Sequence, residues 1–326
     1  MRTKINGLLG AGFLLFALSG CATGTGDAHL SASGAGSPSP SSNTAASYSI
    51  TDFAGRSITF NQVPERIAAL SSGDMDVIYA LGGQLVGRPA VEGGPVPEAA
   101  EQVEQIGTTH ELDLEKIAYV KPDVVLGNAA LNAKDTATVE SLGSRMVLTS
   151  ANSVADIKQQ IELFGSMLHK EAEAAKLIET LNGKLATLSQ QVPANKPRVL
   201  MVYGAPGTYM AALPNSLSGD LLSLAGGANI AADFPQLENY PQYAQLNTER
   251  IIEADPEFVL IITHGNPEAV KSGFLKEMQV NAAWNRMSAI QSGRVEVLPS
   301  DLFGTNPGTR VTEALDVLGS ILRDVR

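Results

Sequence analysis

Leu114-Glu115-Lys116-Ile117, leading to Lys121-Pro122-Asp123-Val124-Val125-Leu126, returns later in the chain as Thr248-Glu249-Arg250-Ile251 leading to Asp255-Pro256-Glu257-Phe258-Val259-Leu260. In each copy a short helical stretch gives way to a proline and then to an apolar run. Such a run reads as a strand covered on both faces, which is the habit of parallel sheets. A second match precedes the first in both places: Asp76-Val77-Ile78-Tyr79-Ala80-Leu81-Gly82-Gly83 resembles Asp220-Leu221-Leu222-Ser223-Leu224-Ala225-Gly226-Gly227. The shared order predicts two similarly built α/β lobes. The Gly-Gly pairs follow helical segments and read as helix C-caps.

Working outward, the pattern from Tyr48 alternates short apolar runs with helical segments, the mark of an α/β fold. Candidate strands are Arg66 to Leu70, Asp123 to Leu126, Arg198 to Val202 and Phe258 to Ile262. Between the halves, Ser153 to Leu188 contains no proline and repeats apolar residues at helical spacing: Ile157, Ile161, Phe164, Leu168, Leu181 and Leu185 among them. This predicts one long interlobe helix of about 50 Å, with Gly165 or His169 as the points of a break. A helical connection resists bending more than a pair of extended strands, so limited hinge motion is expected. The division is then an N-terminal lobe over 48–152, the interlobe helix over 153–192 and a C-terminal lobe over 193–326.

The composition fits this. The chain has 326 residues, 44% hydrophobic and 17% charged, enough for two globular domains. A net charge of −11 with no basic cluster excludes a nucleic-acid partner. The single cysteine, Cys21, excludes a disulfide framework and a Cys-x-x-Cys zinc site. At the amino terminus Arg2 and Lys4 precede an apolar run, Ile5 to Leu18, too short for a membrane span but suited to a secretory signal. It ends in Leu18-Ser19-Gly20-Cys21, which resembles a lipoprotein cleavage box, so residues 1–20 are expected to be removed and Cys21 lipidated. Residues 21–47 then form a tether rich in Ser, Gly, Ala, Thr and Pro, with a reach on the order of 85 Å. The mature protein is expected to be extracytoplasmic and membrane-anchored. No nucleophile elbow, phosphate-binding glycine loop, zinc-protease motif or dinucleotide fingerprint occurs, which lowers the standing of an enzyme.

The repeat and its flanks, with the Arg66 strand start and the interlobe helix, resemble the substrate-binding lipoproteins of ABC importers for siderophores, haem and cobalamin. The resemblance covers residues 48–326 and implies two Rossmann-like lobes joined by a single long interlobe α-helix, the class III periplasmic-binding-protein fold. Within that group the second half is similar to the haem-binding lipoproteins of Gram-positive bacteria. Gly204-Ala205-Pro206-Gly207-Thr208-Tyr209 with Gly219-Asp220-Leu221-Leu222, His264-Gly265-Asn266-Pro267-Glu268 and Leu302-Phe303-Gly304 carry that similarity.

The resemblance implies haem as the transported ligand and His264 as an iron ligand, in the loop after a C-lobe strand. That is also where open α/β sheets bind ligands. For the opposite axial position it leaves two candidates. Ile78 stands where the relatives carry a methionine on the first N-lobe helix; Met75 lies one turn earlier on the same face, and His110 lies in the loop before Leu112. Tyr79 and Tyr209 are secondary candidates, because a phenolate ligates ferric iron. His29 falls in the tether and His169 is expected to be solvated. The resemblance further implies that Glu115 and Glu249, one at the tip of each lobe, dock on arginines of an ABC permease, itself coupled to an ATPase. A haem-donor protein would load the receptor, which is expected to be monomeric. The alternatives are a ferric siderophore or cobalamin receptor and an exported haem-modifying or hydrolytic enzyme. An anionic siderophore would call for cations facing the cleft, and the stretches placed there offer few apart from Arg88.

Overall fold

Apolar runs too short and too uniformly hydrophobic to face water on either side assemble into two sheets, each covered by helices on both faces. The computed structural model describes residues 47–91, 97–192, 194–205, 207–263 and 266–323. The leader, Cys21 and nearly all of the expected tether lie outside the described residues. A small antiparallel hairpin, β1 (Tyr48–Thr51) and β2 (Ser57–Phe60), opens the fold. The N-terminal lobe continues through β3 (Ile67–Ala69), α1 (Ser72–Ala80), β4 (Leu85–Arg88), β5 (Glu104–Gln105), α2 (Leu114–Val120), β6 (Val124–Asn128), α3 (Ala129–Asn132), α4 (Thr136–Ser141) and β7 (Arg145–Thr149). Its five strands are all parallel, in the order β5-β4-β3-β6-β7.

Two helices follow, α5 (Val154–Leu168) and α6 (Glu171–Ser189). The C-terminal lobe contains β8 (Arg198–Ala205), β9 (Thr208–Ala212), α7 (Leu217–Leu224), β10 (Ala228–Asn229), β11 (Tyr243–Gln245), α8 (Thr248–Ala254), β12 (Phe258–Ile262), α9 (Pro267–Met278), α10 (Ser288–Gln291), β13 (Val295–Val297), α11 (Ser300–Phe303) and α12 (Val311–Arg323). Here the order is β11-β9-β8-β12-β13, with β10 also on β8. The strands β10, β8, β12 and β13 run parallel, as β4, β3, β6 and β7 do in the first lobe. The antiparallel β9 and β11 are what the second lobe adds.

The sequence repeat extends to individual hydrogen bonds. Asp113 caps α2 by accepting from Lys116 N at 3.0 Å, and Asn247 caps α8 by accepting from Arg250 N at 3.0 Å. Each helix stops on a left-handed residue, Lys121 at φ 44° and Asp255 at φ 42°. The exposed carbonyls there receive an arginine from the preceding strand start: Arg66 Nε donates to Lys121 O at 2.9 Å and Arg198 Nε to Asp255 O at 3.0 Å. An acid then accepts the backbone N–H of that arginine, Asp123 for Arg66 and Glu257 for Arg198. The expected glycine caps also hold, with Gly82 at φ 78° and Gly226 at φ 90°.

Alternate residues of the strands feed different cores. Val124 and Leu126, with Val199, Met201 and Leu260, join one apolar cluster that runs through both lobes between α1, α5, α6, α7 and α12. Val125 packs outward on Ile117 and Val139, and Val259 outward on Phe274 and Trp284. On α12, Leu315, Leu318 and Leu322 are buried in the shared cluster, each worth about 1.5–3 kcal/mol of burial.

The expected single interlobe helix is corrected to a helical hairpin. His169, one of the two anticipated break points, adopts φ 54° and ends α5. Lys158 Nζ donates to Asn182 Oδ1 at 2.8 Å, although a continuous helix would hold those residues about 36 Å apart. The missing side chain of Gly165 makes the turn tight: a Cβ there would lie 2.5 Å from that of Ala174. His169 is exposed, as expected, and its ring lies 4.4 Å from that of Tyr48.

Candidate ligand-binding site

The carboxyl ends of the parallel strands are where an open α/β sheet meets a ligand. In the N-terminal lobe a short loop is folded over that end. Thr109 Oγ1 donates to Leu70 O at 2.8 Å, just past β3. The fully buried Asn132 donates to Thr109 O at 3.0 Å and accepts from Asn128 N at 2.8 Å, tying the loop to the end of β6. Within the loop Thr108 Oγ1 accepts from His110 N and Glu111 N. The result is an exposed imidazole on a pinned backbone, at the rim of a depression of ≈ 420 Å³ lined also by Leu112, Leu114, Lys134 and Asp135. Asn132 was not singled out by sequence; an asparagine shortly after a strand is too common to signal a loop anchor.

Other candidates are placed differently. Met75 has no exposed surface and packs in the shared core, as does Ile78. In this conformation neither presents an atom to a cleft. Tyr79 is half-buried against the same core. Tyr209 is 9% exposed, donates its hydroxyl to Val270 O at 3.2 Å and packs on Phe274. Burial pushes its phenol up from the ordinary value, which disfavours the phenolate an iron would need. Arg88 is corrected from a cleft cation to a buried one: it is 6% exposed, and its guanidinium donates to Pro89 O at 3.0 Å and Glu101 O at 3.4 Å. His264 lies outside the described residues, between the end of β12 at Ile262 and the start of α9 at Pro267.

A group of tyrosines near the end of β8 went unnoticed in the sequence. Tyr203 pairs in register with Ile262, and its ring lies 5.1 Å from that of Tyr243, with Tyr240 exposed on the adjoining turn. Burial raises the Tyr203 phenol and pushes Tyr243 up to about 12, so both stay protonated at neutral pH. The signal was weak because Tyr203 lies some forty residues of chain before Tyr240 and Tyr243.

Glu115 and Glu249 are both exposed, in the first turns of α2 and α8. Their neighbours are already neutralised. Lys116 pairs with Glu104 at 2.8 Å, and the matched Arg250 pairs with Asp233. Glu115 and Glu249 have no ion-pair partner among the described residues, so each lobe carries an uncompensated carboxylate at the equivalent place.

The sequence profile of the periplasmic binding protein family matches residues 67–302, which spans both sheets. The chain belongs to that family. The high-affinity heme uptake system protein IsdE of Staphylococcus aureus (strain Newman) is 27% identical over 236 residues, covering 72% of this chain and 79% of the relative. Among solved structures, an ABC transporter substrate-binding protein from Listeria monocytogenes EGD-e has a TM-score of 0.70 at 29% identity, covering 81% of this chain and 100% of that one. S. aureus IsdE complexed with heme has a TM-score of 0.69 at 25% identity, covering 79% and 98%. The periplasmic vitamin B12 binding protein BtuF of Vibrio cholerae, at 22% identity, 80% and 97% coverage and a TM-score of 0.64, shares the fold. The class III fold that the family resemblance implied is therefore the fold of this chain, with two helices where one was expected between the lobes.

Proposed function

We propose that the chain is the substrate-binding protein of an ABC importer and that its cargo is haem. The N-terminal lobe over 48–152 and the C-terminal lobe over 193–326, linked through 153–192, would close on the porphyrin at their strand ends. Lipid on Cys21 would hold the monomeric receptor outside the cell membrane. It would take haem from a donor and pass it to a permease, without chemistry of its own. The observation that carries this reading is the likeness to a heme uptake protein across 236 residues that span both lobes. Arg88 adds support, since its side chain is buried, with two of its three nitrogens on main-chain carbonyls, rather than offered to an anionic siderophore. For the iron, His264 is the proposed ligand. His110 is the proposed partner in preference to Met75, because it is exposed on a pinned loop while the thioether is wholly buried.

The test is a titration of the apo-protein with haem, followed by the Soret band and by quenching of Trp284, the chain's one tryptophan. A saturable red-shifted Soret band is expected. His264→Ala and His110→Ala should each alter the band and weaken binding, while Met75→Leu should leave the spectrum unchanged. No saturable shift with haem, together with tight binding of cobalamin or a ferric siderophore, would replace the haem reading. Turnover of bound haem without an added reductant would replace the receptor reading with an enzyme.

A further inference from the structure

The repeat places one aspartate in corresponding positions of the first helix of each lobe, Asp76 on α1 and Asp220 on α7. Counted back from the matched glycine pairs at 82–83 and 226–227 the two coincide; the helices differ by one residue at their amino ends. Neither carboxylate bonds within its own lobe's sheet. Asp76 Oδ2 accepts from Thr309 N at 2.6 Å and Thr309 Oγ1 at 2.7 Å, in the turn Gly308–Arg310 that leads into α12. That segment enters from β13 and α11 of the C-terminal lobe. Asp220 Oδ2 accepts from Val154 N at 2.8 Å, the first residue of α5, which enters from β7 of the N-terminal lobe. At each point where the chain leaves one lobe, the helix it opens is held at its amino end by the first helix of the other lobe.

The surroundings of the Asp76 contact are built for close approach. Gly308 sits at φ 64° with a hypothetical Cβ 2.4 Å from Asp76 Oδ2, and a Cβ on Gly73 would lie 2.7 Å from Asn306 O. Side chains at either position would push the strap off α1. Helix amino ends favour a carboxylate through their unpaired N–H groups and dipole, so each contact has a physical reason to persist while the lobes differ in everything else around it.

We infer that Asp76 and Asp220 are a matched pair of positioning residues that set the angle between the lobes, each by capping the helix through which the opposite lobe crosses over. The inference is independent of the cargo. Losing either contact frees one crossing and leaves the other, so the cleft loses its preferred opening without either lobe unfolding.

The experiment measures the lobe-to-lobe distance by pulsed electron resonance between spin labels at Tyr119→Cys and Val280→Cys, positions 78% and 89% exposed, in the mature chain carrying Cys21→Ser. A single narrow distance distribution is expected. Asp76→Ala and Asp220→Ala should each broaden and shift it, the double variant more than either, and Asp76→Asn, which keeps an acceptor, should restore most of the narrowness. Two milder variants guard against misfolding. Val154→Pro removes the N–H donated to Asp220 and keeps an apolar side chain of similar size in the buried site of Val154, at a first-turn position that tolerates proline and after a residue already extended. Thr309→Val removes only the hydroxyl donated to Asp76. Both should broaden the distribution. Asn247→Ala, which deletes the cap of α8 wholly inside the C-terminal lobe, on a helix that carries neither label, should lower stability but leave the distribution narrow. An unchanged distribution in Val154→Pro and Thr309→Val, or equal broadening by Asn247→Ala, would overturn the inference.

Discussion

Asp74 has no exposed surface, and the partners of its carboxylate are three neutral donors, Ser71 Oγ, Thr149 Oγ1 and Gln160 Nε2. Gln160 in turn accepts from Asn306 at 2.9 Å, so the network reaches the segment that straps α1. Burial raises the Asp74 pKa above the ordinary 3.8 against the lowering by its three hydrogen bonds. With the folded value above the unfolded one, the charged group costs stability at neutral pH. That stability returns as pH falls through the raised folded value toward 3.8, and no more is gained below it. Asp74→Asn keeps one acceptor oxygen for Thr149 and Gln160 and turns an NH2 toward the Ser71 hydroxyl, which can rotate to accept it; without the charge it is expected to be near neutral or stabilising at pH 7, with a flatter stability profile through the acid range. Asp74→Ala strands the fully buried Gln160 amide and takes an acceptor from Ser71 Oγ and from Thr149 Oγ1, which keeps only Gly127 O at 3.3 Å; at about 1–3 kcal/mol for a donor left unpaired, it should be destabilising. Denaturant unfolding of both variants between pH 4 and 7 checks this; equal losses at pH 7 would show that shape rather than charge governs the site.

The helix–stop–strand unit appears twice with the same backbone, and its two stops differ in one respect that can be tested. Lys121 and Asp255 both adopt the left-handed region, which costs an ordinary residue roughly 1–2 kcal/mol and costs glycine little. Lys121 contributes its carbonyl to Arg66, whereas Asp255 also accepts from Ser288 N and Ser288 Oγ, both at 2.7 Å. Lys121→Gly should therefore leave stability unchanged or raise it by up to about 1 kcal/mol after the entropy cost of glycine. Asp255→Gly should lower it by about 1–3 kcal/mol, because it strands two donors. Paired thermal melts decide between this and a symmetric response.

The unit was legible in the sequence because everything that defines it, from helix start to strand, falls within about a dozen consecutive residues. The break at His169 was legible only as one of two positions, since a helix and a hairpin share the same apolar spacing until a residue turns left-handed. Met75 could not be read. Its spacing from Ile78 places both on one helical face, but nothing local says that the face points into the core. The Thr109–Asn132 anchor and the Asp76 and Asp220 contacts join residues far apart in sequence, and no short-range pattern encodes them.

For the whole molecule, the charge that first argued against nucleic acid takes on a specific distribution. A net charge of −11 spread evenly would only keep the protein soluble. Here the cation beside each of these glutamates is bound by an acid of its own lobe, which leaves Glu115 and Glu249 exposed and without an ion-pair partner among the described residues, at matched positions of the repeat. Two such charges, one per lobe, suit a partner with two basic patches, and charge pairs at a rim act mainly on encounter rate and orientation. If they dock the receptor on its permease, Glu115→Ala with Glu249→Ala should leave haem titrations unchanged, since neither residue lines the strand-end depression, while haem-dependent growth or uptake in cells falls to the level of a strain lacking the receptor. Each single variant should be intermediate. The association rate of wild-type receptor with permease in lipid discs should drop steeply as salt rises and the screening length shortens below about 10 Å, and the double variant should show little of that dependence. Normal uptake by the double variant, or an equal salt slope with and without the two carboxylates, would place the docking surface elsewhere on the lobes.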